Sequence, residues 1–306
     1  MLKIISVVGA RPNFMKVAPF IHAINKYNTG HQSLPDNHRD TIHHLLVHTG
    51  QHYDDRMSKS FFEALNIPDA DINLGIGSGS HAEQVGQSMI ALEKVFENEK
   101  PDWVIVYGDV NATLAASVTA KKLHIKVCHV EAGLRSGDLK MPEEINRLVT
   151  DRLSDLLLTP DKLSIENLKK EGVEDSRIRF VGNIMIDTLE ANREKANLLN
   201  IESIIRDNSV ITSNPPLRAG QQPVTNHLRF ALMTLHRPSN VDNKEVLAPL
   251  VNFLTGEIAE KLIIIWTVHP RTEKQLKAFN LWDKILATPN IYLVYPLNYH
   301  SMVAIY

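Results

Sequence analysis

Short β-branched apolar runs alternate with longer stretches whose apolar residues recur every three or four positions, and this rhythm constrains the fold more than any other feature of the chain. Leu2–Val8 is such a run, ends at Gly9, and reads as a strand buried on both faces. Residues 13–27 follow with Phe14, Val17, Ala18, Ile21 and Ile24 at helical spacing. The same reading predicts strands at 41–47, 103–107, 125–130 and 156–158, and helices at 58–65, 82–97, 112–123 and 143–154. Strand, helix, strand repeated this often implies a mostly parallel, doubly wound α/β sheet with right-handed crossovers.

The rhythm lapses between Ser203 and His227, where Asn214 to Pro223 is polar and proline-rich, a linker rather than a strand. Beyond it, strands at 230–235, 262–268 and 291–294, with helices at 244–260 and after Arg271, resume the alternation. A loop-type insertion is expected at 28–40. With 306 residues and roughly 150 per domain, two domains are expected, at 1–185 and 186–306. Only three strands follow the linker, and the chain halts in the apolar run Met302 to Tyr306, so the second domain reads as cut short at its C-terminus.

Composition narrows the function classes. At 43% hydrophobic and 22% charged residues, the chain is ordinary for a soluble globular protein and unlike a disordered tail, a fibre or a membrane bundle. Lys and Arg total 33 against 35 Asp and Glu, so there is no basic field to hold nucleic acid. The single cysteine, Cys128, rules out an intrachain disulfide and a cysteine zinc cluster, and fits a reducing compartment. The opening apolar run is too short for a signal peptide, and no stretch approaches the ~20 apolar residues of a membrane span. A cytoplasmic protein with a small-molecule ligand is expected.

In open parallel sheets, ligands bind beyond the carboxyl ends of the strands, so the residues that follow each strand are the ones to inspect. After the first comes Gly9-Ala10-Arg11-Pro12-Asn13-Phe14-Met15-Lys16, where Arg11 and Lys16 flank a helix N-terminus suited to a phosphate. It matches neither the dinucleotide nor the P-loop fingerprint. After the second comes His48-Thr49-Gly50-Gln51-His52, with amide and imidazole donors but no third ligand to make a metal site. Asp109 follows the strand at 103–107, Glu131 the strand at 125–130, and Pro142-Glu143-Glu144 opens the next helix. Carboxylates crowded on one rim beside an anionic ligand have their pKa values pushed apart, which suits acid/base chemistry at carbon. Individually each could cap a helix or pair with Arg135 or Arg147. In the second domain His236-Arg237 and His269-Pro270-Arg271 end strands in the same way, and His236 is a candidate proton carrier.

Taken in order, Gly9 to Lys16, Thr49-Gly50-Gln51-His52, Gly108-Asp109, His129-Val130-Glu131-Ala132-Gly133-Leu134-Arg135, Pro142 to Arg147 and His236-Arg237 resemble the non-hydrolysing UDP-N-acetylglucosamine 2-epimerases. The resemblance implies a GT-B fold, two Rossmann-like domains with the nucleotide sugar in the cleft between them. It implies interconversion of UDP-N-acetylglucosamine and UDP-N-acetylmannosamine, for bacterial surface polysaccharides, by anti-elimination of UDP through 2-acetamidoglucal and re-addition. No cofactor and no metal are implied. Asp109, Glu131, Glu143 and His236 match the catalytic residues by motif position; Arg11, Lys16, Arg135, Arg237 and His269 match the substrate-binding side. Gln51 falls where bacterial members take a second UDP-N-acetylglucosamine as allosteric activator, and a cytoplasmic homodimer is implied.

The chain departs from that pattern in places. His236-Arg237-Pro238-Ser239-Asn240 stands where many members read His-Arg-Arg-Glu-Asn, Val110-Asn111-Ala112-Thr113 replaces a threonine run, and the segment between Gly133 and Glu143 is shorter than in many relatives. The family's Asp-Ser-Gly-Gly-x-Gln-Glu-Glu segment is absent, so weak or absent activity is expected of the chain as written. Alternatives are a hydrolysing epimerase, a GT-B glycosyltransferase, and a nucleotide-sugar binder without turnover.

Overall fold

The computed structural model describes residues 1–31, 41–50, 65–210 and 229–306, which divide into two compact units, Met1–Ala191 and Asn192–Tyr306. In the first, seven strands form one parallel sheet: β1 (Leu2–Val8), β2 (Ile42–His48), β3 (Ile72–Asn73), β4 (Trp103–Tyr107), β5 (Lys126–Val130), β6 (Leu156–Thr159) and β7 (Ile178–Phe180). Their order is β3-β2-β1-β4-β5-β6-β7. β1 lies between β2, paired from Leu2 with Ile42 to Val8 with His48, and β4, paired from Ile4 with Trp103. The chain runs outward from β1 through β2 to β3, then crosses to β4 on the other side of β1 and runs outward the other way, so the switch point of the sheet is the β1/β4 rim.

Among the described residues of this unit the helices are α1 (Arg11–His31), α2 (His81–Glu99), α3 (Asn111–Lys122), α4 (Pro142–Leu153), α5 (Lys162–Lys170) and α6 (Ile184–Asn197), the last running past Ala191. α2 begins in a capping box, Ser80 accepting from the Glu83 N–H and Glu83 from the Ser80 N–H. Ile5, Val7, Val104, Val106 and Val127 of the sheet pack against Leu92 and Phe96 of α2, and against Ala115, Ala116 and Ala120 of α3, whose short side chains let that helix lie close.

The second unit holds β8 (Phe230–Thr234), β9 (Ile263–Thr267) and β10 (Ile291–Val294), all parallel in the order β10-β9-β8. The fully buried Trp266 of β9 centres a core with Leu247, Val251 and Leu276. α7 (Ile201–Asn208), α8 (Pro238–Val241), α9 (Lys244–Phe253), α10 (Pro270–Ala278), α11 (Trp282–Leu286) and α12 (Tyr299–Ile305) surround it.

Several sequence expectations change. The loop expected from residue 28 starts later: α1 continues through Gly30 to His31, and the Asn28 amide bonds both the Ile42 carbonyl and N–H at 2.8 and 2.9 Å, joining the helix end to β2. The expected helix at 244–260 stops at Phe253 and becomes a π-turn over Leu254–Ile258. Residues 203–208, expected as linker, are helical because Asn200 caps the Ser203 N–H and Ile204 and Ile205 bury an apolar face. The expected helix at 58–65, the insertion beyond His31 and most of the linker lie outside the described residues. Among the described residues no helix is long and apolar enough to cross a membrane.

A polar chain crosses the sheet between β2, β1 and β4: His44 Nε2 lies 2.8 Å from Ser6 Oγ, which lies 2.8 Å from the Tyr107 hydroxyl. Burial pushes the His44 imidazole down from 6.5 to about 4, helped by His43 and opposed by the Asp71 carboxylate. Because the folded state resists the proton that the unfolded chain takes up, stability present above pH 6.5 is lost as the pH falls toward 4. The loss is on the order of 2–3 kcal/mol. Urea denaturation at pH 7 and at pH 4.5 measures it, and His44→Gln should flatten that dependence.

Candidate active site

The switch-point rim is built by side chains that tie β1 and β4 together. Asn13, buried in the first turn of α1, accepts from the Gly9 and Ala10 N–H groups at 3.0 and 3.3 Å and donates to the Tyr107 carbonyl at 2.8 Å. Lys16, one turn further along α1 and also buried, meets the Glu131 carboxylate. Gly108 passes over that pair with φ of +62°; a Cβ there would stand 2.6 Å from Lys16 Nζ and 3.2 Å from Glu131 Oε2. The glycine is what lets the end of β4 approach the pair so closely. Glu131 itself has φ of +73°, a left-handed conformation that costs a non-glycine residue on the order of 1–2 kcal/mol. Its carboxylate is aimed by a turn, and the N–H groups of Glu131 and Ala132 both donate to the Leu158 carbonyl at 3.1 and 3.0 Å.

Asp109 is held from α4. Arg147 binds its carboxylate, and Asn146 donates to its carbonyl at 2.8 Å. Arg147 is steadied in turn by Glu144, 2.8 Å away. Burial alone would raise the Glu144 carboxyl, but the Ser136 and Gly137 N–H groups and the Arg147 guanidinium outweigh it and hold it at about 2. Asn146 also donates to Asn111, whose amide bonds Gln84 at the start of α2 at 2.8 Å.

The rim therefore presents two carboxylates at neighbouring strand ends, each opposite a cation. This arrangement can take a proton from carbon and return one, and can stabilise departing negative charge. Glu143 stands beside Pro142 in the first turn of α4, half-buried, whereas its neighbour Glu144 is buried. Arg135, expected on the substrate side, is occupied within the protein: it bonds Glu171 at 2.7 and 2.6 Å, Asp151 at 2.7 Å and the Leu134 carbonyl at 2.7 Å. The side chain of Arg11, and Gln51 and His52, lie outside the described residues; His48 is buried with its ring centroid 5.4 Å from that of Phe14.

In the second unit, His236 and His269 follow β8 and β9, exposed, with ring centroids 5.5 Å apart. His236 Nδ1 lies 3.3 Å from Thr234 Oγ1, and His269 caps α10, its Nδ1 accepting from the Arg271 N–H at 3.1 Å. Arg237, exposed, stands directly before α8. Among the described residues no group of three His, Cys, Asp or Glu is arranged to hold a metal ion.

Sequence reasoning did not single out Asn13, Asn146 or Asp151. Only burial brings out α4, whose buried residues are Glu144, Asn146, Thr150 and Asp151 while Ile145 is 48% exposed. Buried polar residues on a helix are the informative exception to a core of apolar ones, and here each is hydrogen-bonded.

The chain matches the sequence profile of the UDP-N-acetylglucosamine 2-epimerases over residues 36–306. It is 42% identical over 300 residues to the UDP-N-acetylglucosamine 2-epimerase of Methanocaldococcus jannaschii, covering 97% of this chain and 74% of that one. It is 35% identical over 283 residues to a UDP-2,3-diacetamido-2,3-dideoxy-D-glucuronate 2-epimerase of Pseudomonas aeruginosa, covering 92% and 70%. In structure it resembles the M. jannaschii epimerase solved with UDP-GlcNAc and UDP, with a TM-score of 0.80 at 40% identity over 98% of this chain and 75% of that one. The Neisseria meningitidis UDP-GlcNAc 2-epimerase bound to UDP-GlcNAc gives a TM-score of 0.79 at 27% identity, covering 99% and 74%. Likeness in sequence and in fold runs through both α/β units, and the chain belongs to the UDP-N-acetylglucosamine 2-epimerase family, isomerases with two Rossmann-like units of the GT-B class.

Proposed function

We propose that this protein interconverts UDP-N-acetylglucosamine and UDP-N-acetylmannosamine by eliminating UDP and adding it back. The observation that carries the reading is the pair of carboxylates, Asp109 against Arg147 and Glu131 against Lys16, on the adjacent ends of β4 and β5 beside the sheet's switch point. In the forward direction one carboxylate takes the C2 proton while the C1–O bond to the diphosphate breaks on the opposite face, leaving 2-acetamidoglucal and UDP. In the return step a proton reaches the other face of C2 as a UDP phosphate oxygen bonds C1. Glu143 completes the set of acids and Lys16 supplies positive charge toward the diphosphate; His236 is the candidate proton carrier, and Arg11, Arg237 and His269 are candidate substrate-binding residues. Gln51 belongs to a subsite for a second UDP-N-acetylglucosamine that activates the enzyme, and the active form is a cytoplasmic homodimer.

The P. aeruginosa relative is named for a different UDP sugar, so epimerisation at C2, rather than one sugar, is what the relatives share. Product analysis separates the readings. UDP-N-acetylglucosamine should yield UDP-N-acetylmannosamine with the UDP retained; release of free N-acetylmannosamine and UDP in equal amounts would identify a hydrolysing enzyme instead.

A further inference from the structure

Asp151 is a carboxylate that the proposed reaction does not use, on the inner face of α4 and only 1% exposed. Its Oδ1 accepts from His129 Nδ1 at 2.6 Å, and its Oδ2 accepts from the Gly133 N–H at 3.0 Å and from Arg135 Nη1 at 2.7 Å. His129, fully buried in β5, places its other ring nitrogen 2.8 Å from the Gly108 carbonyl, which can only accept, so Nε2 is the donor there. The three groups held by Asp151 lie two residues before Glu131, two after it and four after it. Between them the chain makes its left-handed turn at Glu131, and Gly108 lies directly over the Glu131–Lys16 pair. Burial alone would raise the Asp151 carboxyl, but the charges and hydrogen bonds of His129 and Arg135 hold it below the usual carboxylate range.

We propose that Asp151 is a positioning residue for the reaction: it clamps the end of β5 and the following loop on both sides of Glu131, and through His129 fixes the Gly108 carbonyl, so that the Glu131 carboxylate is held in register with Lys16. The inference rests on the reading of Glu131 as a reacting acid. A displacement of about 1 Å in a reacting group costs on the order of 10²-fold in rate.

The test compares Asp151→Asn with Asp155→Asn, following deuterium exchange at C2 of UDP-N-acetylglucosamine. Asp155 is also a structural carboxylate, accepting from the Val127 N–H and from Lys121 at the opposite end of β5. Asp151→Asn should lower kcat by about 10- to 100-fold with KM within about threefold of wild type, whereas Asp155→Asn should leave kcat unchanged. Combined with Glu131→Asp, Asp151→Asn should lower kcat by less than the product of the two separate losses, because both act through one carboxylate. His129→Gln removes the same clamp from the other side and carries the test if Asp151→Asn does not fold. An unchanged kcat in a folded variant, or losses that multiply in full with Glu131→Asp, would overturn the inference. Exchange by the wild-type protein in the same assay keeps that failure distinct from a failure of the epimerase reading.

Discussion

Glu131→Gln should slow proton exchange at C2 of the nucleotide sugar, lowering kcat by about 10²- to 10⁴-fold, the usual contribution of a positioned acid or base. Glutamine keeps the shape of the side chain and removes its charge, so binding of UDP-N-acetylglucosamine should change far less than turnover. A second effect must be separated from the first. Lys16 and Glu131 are both largely withdrawn from water, with side chains 8% and 16% exposed, and removing one charge strands the other. Breaking such a pair from one side costs about 3–5 kcal/mol, so the single variant should also unfold at lower denaturant. Replacing both partners removes the stranded charge. Lys16→Met combined with Glu131→Gln should recover much of the lost stability in urea titrations and none of the exchange. Recovery of exchange in that double variant would show that the pair is structural and that the chemistry lies elsewhere.

A stability effect of similar size is expected at Gly133. Its φ of +84° is left-handed, and a Cβ would collide with the Ser164 carbonyl oxygen and stand 2.9 Å from the carbonyl carbon. Both obstacles are backbone at the start of α5, which cannot swing aside as a lysine tip can. Gly133 also donates to Asp151 and accepts from Asn167 at 3.0 Å, so any shift of its peptide disturbs the turn that carries Glu131. Gly133→Ala should cost at least about 3 kcal/mol, with left-handed strain supplying the smaller part. Gly137 is the control: its φ is +73° but nothing lies within 4 Å of its Cβ position, so Gly137→Ala should cost only the backbone strain, about 1 kcal/mol. Denaturant melts of the two alanine variants side by side test the difference. Equal losses would mean that the Ser164 contact is not limiting.

The fold was legible because buried parallel strands are β-branched runs, and those are unambiguous here: 103–107 and 291–294 are strands at the bounds their patterns predict. Parallel topology then makes every strand's carboxyl end face one rim, which is why Asp109 and Glu131 could be named before any coordinates. The partners could not. That Lys16 meets Glu131 depends on the two flanking β1 and β5 across the β4 end, separated by 115 residues in the chain. The left-handed turn at Glu131 carries no glycine signature, so nothing local betrays it. The short β3 and β7, of two and three residues, fall below the length at which alternation can be recognised. The Ser136–Gly137 loop is tied to Glu144 by two hydrogen bonds; spacing alone left the two adjacent acids equivalent, and only the family resemblance singled out Glu143. Burial divides them, since Glu144 is 2% exposed and committed to the loop and Arg147.

The proposed reaction removes and replaces the proton at C2 and returns the departed UDP to C1. The most direct measurement is to incubate the purified protein with UDP-N-acetylglucosamine in deuterium oxide and follow C2 by NMR. The C2 proton signal should be lost from the sugar as UDP-N-acetylmannosamine carrying deuterium at C2 appears. UDP-N-acetylmannosamine formed with its C2 proton retained would contradict it.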